Sequence, residues 1–181
     1  MSKFKFHPFP KLSTDQLVLR KFKPEDIPAI FQMRSNENNQ TYLDRPITKS
    51  LKEATEFVDK ILTGMYENRW IMWGIERKTD KAFVGSICLW NLNEKKMTGE
   101  LGYEMHPDFQ GKGLMQEAIP PILEYGFDIM KLEIIEAVPH ENNAASIRIL
   151  EKNNFQREKN LEGEYAHLVL FKLEKKDFKY A

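Results

Sequence analysis

Three strand-type runs, Trp70 to Glu76, Ala82 to Trp90 and Gly99 to His106, follow one another with only turn-forming polar residues between them. Connections that short join antiparallel neighbours, so the middle of the chain predicts an antiparallel meander. Before it, Leu17, Val18 and Leu19 predict a strand to about Lys21. Pro24-Glu25-Asp26 marks a helix start, because proline tolerates the first helical position and acids suit the positive end of the dipole. Ile27, Ile30, Phe31 and Arg34 continue at helical spacing. A second helix begins after Thr48 or Ser50, where Glu53 can close a capping box with Ser50 and Ala54, Phe57, Val58, Ile61 and Leu62 form the buried face. Beyond the meander come a helix from Gly113 to Ile129, an apolar strand from Leu132 to Val138, a helix from Ala144 to Asn153 and a strand from Tyr165 to Leu173. This order predicts an α/β (α+β) fold, a mixed and mostly antiparallel sheet of about six to seven strands flanked by about four helices. Pro120-Pro121 falls inside the third helix and predicts a kink or irregular turn there.

The chain is 181 residues long, a length that suits one domain. That domain is expected over 14–181, with Met1 to Ser13 as a loosely held N-terminal arm. Its 27 basic and 27 acidic residues cancel. Binding to nucleic acid through a large basic excess is therefore excluded. The lone Cys88 can form no internal disulfide, and no Cys/His pairing suggests a metal site. Neither a signal peptide nor a membrane span is legible near Met1, and the expected compartment is the cytoplasm.

Chemistry concentrates in Gln110-Gly111-Lys112-Gly113-Leu114-Met115, between a strand ending near His106 and a helix starting near Gly113. Two glycines and no acid leave several backbone N–H groups free to converge at a helix N-terminus, where they can receive a phosphate or pyrophosphate. Lys112 adds a point charge. A dinucleotide GxGxxG would need glycine at Gln116, and a P-loop would need glycine at His106. Both fail, which leaves a plain strand-to-helix turn and an anion cradle as the two readings.

The flanking sequence separates them. Gly99-Glu100-Leu101-Gly102-Tyr103-Glu104-Met105-His106-Pro107 precedes the loop, and Glu141-Asn142-Asn143-Ala144-Ala145-Ser146-Ile147-Arg148-Ile149-Leu150-Glu151-Lys152-Asn153-Asn154-Phe155 follows it. Together they resemble the GNAT superfamily of acyl-CoA-dependent N-acyltransferases, within it the branch of the ribosomal-protein N-terminal acetyltransferases. The likeness runs from about Leu17 to about Lys172. It implies a sheet splayed at the fourth strand and acetyl-CoA as cosubstrate, with no metal. Its pyrophosphate would rest on Gln110, Gly111, Lys112, Gly113, Leu114 and Met115, although a small residue is usual where Met115 stands.

The resemblance also assigns roles. The N–H of Met105 would face the thioester oxygen, a donor of the kind acyl transfer needs, and His106 would lie beside the cofactor. Glu100 stands where the family places a catalytic glutamate, and Glu104, which the period of two puts on the same strand face as Glu100, is the alternative base. Asn143 would bond the pantetheine arm, Ser146 would lie near the sulfur, and Lys152 near the phosphates. The tyrosine that many members carry seven residues after the motif asparagine is Leu150 here.

The expected activity is direct acetyl transfer to a primary amine, with the N-terminal amine of a ribosomal or other protein as first acceptor. A polyamine or antibiotic amine, or a non-catalytic acyl-CoA-binding module, are the alternatives. Neither nucleic acid nor membrane is an expected partner, and a homodimer is one option for the assembly.

Overall fold

The computed structural model describes residues 3–43 and 45–180, with Gln40 described by its backbone alone. Among these residues the strands are β1 (Leu12–Ser13), β2 (Leu17–Arg20), β3 (Ile71–Arg77), β4 (Phe83–Asn93), β5 (Thr98–Met105), β6 (Ile134–Ala137), β7 (Gln156–Asn160) and β8 (Val169–Glu174). The helices are α1 (Ile27–Ser35), α2 (Glu37–Gln40), α3 (Leu51–Tyr66), α4 (Leu114–Glu124) and α5 (Ala144–Lys152). One sheet of order β1-β2-β3-β4-β5-β6-β8-β7 holds all the strands. Every pairing is antiparallel except β5 with β6. The expected mixed α/β sheet is therefore present, and the meander is β3-β4-β5.

Two strands go beyond the expectation. Every residue of β7, Gln156-Arg157-Glu158-Lys159-Asn160, is exposed, so it has no apolar alternation to read. Its charges suit an edge strand. β1 is only two residues long. The last strand starts at Val169 rather than Tyr165, because Gly163–Tyr165 forms a 3-10 turn.

The arm expected to be loose is seated on the core from Lys3 onward. Phe4 and Phe6 are buried, the Phe6 N–H donates to Asn68 Oδ1 at 2.9 Å, and Pro10 accepts from Trp73 Nε1 at 2.7 Å. The alternation of lysine and phenylalanine over 3–6 is a period-two amphipathic signal, and its apolar side is used.

α4 runs through Pro120 and Pro121, and the carbonyls that lose donors, those of Gln116 and Glu117, belong to half-exposed residues beside the buried Leu114, Ala118 and Ile122. The irregularity comes one turn later, in a π-helical turn over Tyr125–Ile129 closed by the Met130 N–H on the Tyr125 carbonyl at 3.0 Å. That turn presses Gly126 on the sheet, where an added Cβ would lie 2.8 Å from Ile135 Cδ1.

Strand register sorts the side chains. Trp73, Ile87 and Tyr103 align across β3, β4 and β5 on the face covered by α4, where Tyr125 packs edge-on against Trp73. Ser86 with Glu104, Cys88 with Gly102, and Trp90 with Glu100 form the other face, toward α1 and α3. The start of α1 is fixed by Arg20, which holds Asp26 through two 2.8 Å bonds and Glu76 through one of 2.7 Å.

Candidate active site

β5 and β6 pair over only three positions, Thr98 with Ile134, Gly99 with Ile135 and Glu100 with Glu136. β5 then continues through Met105 without that neighbour, so the sheet opens at Glu100. Strand alternation identifies the free groups. The Met97 carbonyl accepts from Glu133 on the β6 side, while the His106 N–H donates to Val84 of β4 at 2.9 Å. Odd-numbered residues of β5 therefore aim their main-chain groups at the opening. Leu101, Tyr103 and Met105 present them there. His106 does not: its N–H is spent on β4 and its Nδ1 accepts from the Asp108 N–H at 3.3 Å.

At the end of this free edge, Pro107–Phe109 makes a 3-10 turn and the chain passes through Gly111 (φ +73°) and Gly113 (φ +77°) into α4. Both are left-handed, a conformation that favours glycine. A Cβ at either position would meet nothing within 4 Å, so open space stands over the loop. Gly113 is the N-cap and offers no side-chain acceptor, which leaves the first amides of α4 pointing outward while the Leu114 and Met115 side chains are buried beneath. Lys112 is exposed and folds back, donating to the Asp108 carbonyl at 2.7 Å. Gln110 spans the mouth of the opening, with Nε2 donating to the Met105 carbonyl at 3.0 Å and to Asn39 Oδ1 of α2 at 2.6 Å.

Glu100 sits where the strands part. Burial pushes its carboxyl above the usual range; Asn91, donating to it at 3.3 Å, opposes this, and the neighbouring Glu136 adds to it. Such a carboxylate holds a proton more readily than an exposed one, which suits a general base. The half-exposed Trp90 lies beside it, with its indole over Gly102. Cys88, on the same face, is buried, and its thiol is pushed up to about 12 by that burial.

Glu104 is differently placed. Its Oε1 accepts from Arg34 Nη1 at 3.0 Å and its Oε2 from Arg45 Nη2 at 2.5 Å, so both oxygens are engaged by guanidinium donors. Arg34 also stacks on Phe57, 3.8 Å from the ring centroid. These contacts dock the segment between α1 and α3 onto β5, where Tyr42 packs against His140 at 5.3 Å.

On the opposite face, Asn143 caps α5 by accepting from the Ser146 N–H at 3.1 Å. Ser146 Oγ lies 2.7 Å from Tyr103 Oη, a contact that joins α5 to the free part of β5. The sequence signal for Tyr103 is the strand period of two, which puts it on the face opposite Glu100. Leu150 is fully buried and Lys152 is exposed in the last turn of α5, which ends with Asn154 in the left-handed region at φ +65°. Among the other aromatics, Trp73 belongs to the core and Tyr165 is exposed.

The sequence pattern of the acetyltransferase (GNAT) domain matches residues 16–156. The uncharacterized N-acetyltransferase YoaA of Bacillus subtilis (strain 168) is 36% identical over 150 residues, 83% of this chain and 85% of that protein. The spermidine N-acetyltransferase from Vibrio cholerae, solved in complex with CoA and spermine, has a TM-score of 0.77 at 23% identity, covering 90% of this chain and 97% of that one. The ribosomal-protein-S5-alanine acetyltransferase from Vibrio fischeri gives 0.77 at 17% identity, covering 94% and 99%.

Proposed function

This chain belongs to the acetyltransferase (GNAT) family, and from that membership we propose that it passes an acetyl group directly to a primary amine held beside Glu100. It is an acyltransferase of the acetyl-CoA-dependent class. Acetyl-CoA supplies the acyl group, activated as a thioester. The loop fits its anionic end, because the space above Gly111 and Gly113 is open where a Cβ would stand and the α4 amides have no capping side chain.

In this reading the amides from Gly111 to Met115 hold the pyrophosphate, with Gln110, Lys112 and Lys152 at its margin. The main chain of Leu101 and Tyr103 and the Asn143 side chain receive the pantetheine arm, and His106 borders it. The Met105 N–H donates to the acyl oxygen as negative charge develops there, an effect worth about 3–4 kcal/mol in other acyl-transfer sites. Glu100 accepts the proton the attacking amine loses as the C–N bond forms, with Glu104 as the second candidate base, and Ser146 lies near the leaving sulfur. Direct transfer is favoured over a covalent enzyme intermediate because the buried Cys88 thiol stays protonated at neutral pH.

The observation carrying this reading is the parting of β5 from β6 at Glu100, which joins a free strand edge, a raised carboxylate and a glycine loop in one groove. The first acceptor we assign is the N-terminal amine of a protein, the acceptor class of ribosomal-protein acetyltransferases. A polyamine is the second, on the observation that Glu100, Glu136 and the half-exposed Trp90 share one face and together suit a cation. The soluble cytoplasm is the compartment we assign. A panel of peptide N-termini, polyamines and aminated antibiotics, incubated with acetyl-CoA and followed by released thiol, tests the proposal. Turnover with one class and its loss in Glu100→Gln is expected; CoA binding without turnover on any amine would instead mark a regulatory acyl-CoA module.

A further inference from the structure

The Tyr103–Ser146 contact crosses the opening in the sheet. Tyr103 belongs to β5, on one side of it, and Ser146 to the first turn of α5, which follows β6 on the other. The two oxygens are 2.7 Å apart, whereas the next acceptor for the phenol, the Ser146 carbonyl, is at 3.4 Å. The shorter distance is within the usual O–H···O range and the longer one is outside it. Either hydroxyl can donate across the shorter contact, and with the phenol as donor its hydrogen goes to Ser146 Oγ. In that arrangement the serine hydroxyl keeps its own hydrogen for an acceptor other than Tyr103.

Resting on the function proposed above, we infer that Tyr103 is a positioning residue: it occupies Ser146 Oγ as an acceptor and so turns the Ser146 hydrogen toward the departing sulfur. During transfer the C–N bond forms and the C–S bond breaks with its electron pair on sulfur. The proton lost by the amine goes to Glu100. The thiolate receives a hydrogen bond from Ser146 and takes its proton from water on release. No proton leaves Tyr103, whose phenol is pushed up to about 12 by burial, against the opposing Ser146 bond. A free thiol titrates near about 8.5, so the phenol stays a donor throughout.

The test needs no acceptor. The intact protein is titrated with CoA by calorimetry, and the thiol of the bound CoA is then titrated by the ultraviolet absorbance of its thiolate, with the desulfo-CoA complex as blank. The thiol pKa in the complex is expected to be higher by about one unit in Tyr103→Phe and in Ser146→Ala than in the unchanged protein, a tenfold shift toward the thiol. Thermal melts confirm that each variant is folded, and a purely structural contact would not move the thiol titration. Saturable CoA binding with the same thiol pKa in all three proteins overturns this inference and leaves the proposed function standing. A shift in Ser146→Ala alone removes Tyr103 from the role. Absence of CoA binding by the unchanged protein overturns the proposed function and this inference with it.

Discussion

Glu100 and Glu136 face each other as the last registered pair before β5 and β6 part, so two carboxylates share the head of the groove. Burial raises the Glu100 pKa and Glu136 adds to it, while Lys172, 3.5 Å from Glu136, screens only that second carboxylate. The rate should therefore rise with pH through a limb above the ordinary glutamate value, as Glu100 loses its proton and becomes able to accept another. Glu100→Gln is expected to lower kcat/KM by about 10²-fold or more and to abolish that limb. A pH–rate profile of both proteins on one accepted amine is the check, and an unchanged limb in the variant would remove Glu100 as the base.

Glu104→Gln should behave differently. It would leave Arg34 and Arg45 facing a neutral partner, and each side chain of the cluster retains only 12% to 18% exposure. A loss of about 2–3 kcal/mol is expected, below the range for fully buried pairs because some solvent screening persists. Denaturant unfolding measures it. If the variant were fully stable but lost the acid limb, the roles of the two glutamates would be exchanged.

Gly113→Ala places a Cβ in the space above the loop and forces a left-handed alanine. The strain is about 1–2 kcal/mol, with no clash to add to it. CoA affinity should fall by tenfold or more while the melting temperature drops only modestly. Calorimetry beside a thermal melt separates the two effects, and unaltered affinity would move the anion site elsewhere.

Acid stability has two named contributors. For Glu117, burial is outweighed by hydrogen bonds from Thr14 and Gln16, and its pKa is lowered. Glu76 is lowered likewise, burial being outweighed by Arg20 and Lys23. A depressed carboxyl pKa stabilises the fold above the unfolded-state value, and that stabilisation is lost as pH falls through the folded one. Glu117→Gln should therefore melt lower than the unchanged protein at pH 7, and the gap should close toward pH 3. A gap that widened in acid would reverse the assigned sign.

The meander, the glycine loop and the cap at Ser50 were legible because each is written locally, in period, turn residues or a capping box. β7 was not, since its polar residues form a strand only by pairing with β8. Pro120-Pro121 marked the wrong place: α4 runs through them, and the irregular π turn follows at Tyr125–Ile129, where Gly126 packs on Ile135. In the proposed site, the loop is written in its two glycines, and Glu100 comes from the family resemblance of its strand. The clamp of Arg34 and Arg45 on Glu104, and the meeting of Tyr103 with Ser146, are tertiary contacts across 43 to 70 residues and leave no local trace.

The pleat of β5 acts as a reading frame. Glu100 and Tyr103 lie three residues apart, an odd interval, so the carboxylate emerges on the α1–α3 side and the phenol on the α4–α5 side. Inserting a single residue between them would bring both to one side, while inserting two would restore the separation. Within this stretch, length in whole pairs of residues is thus a stricter constraint than the identity of Leu101.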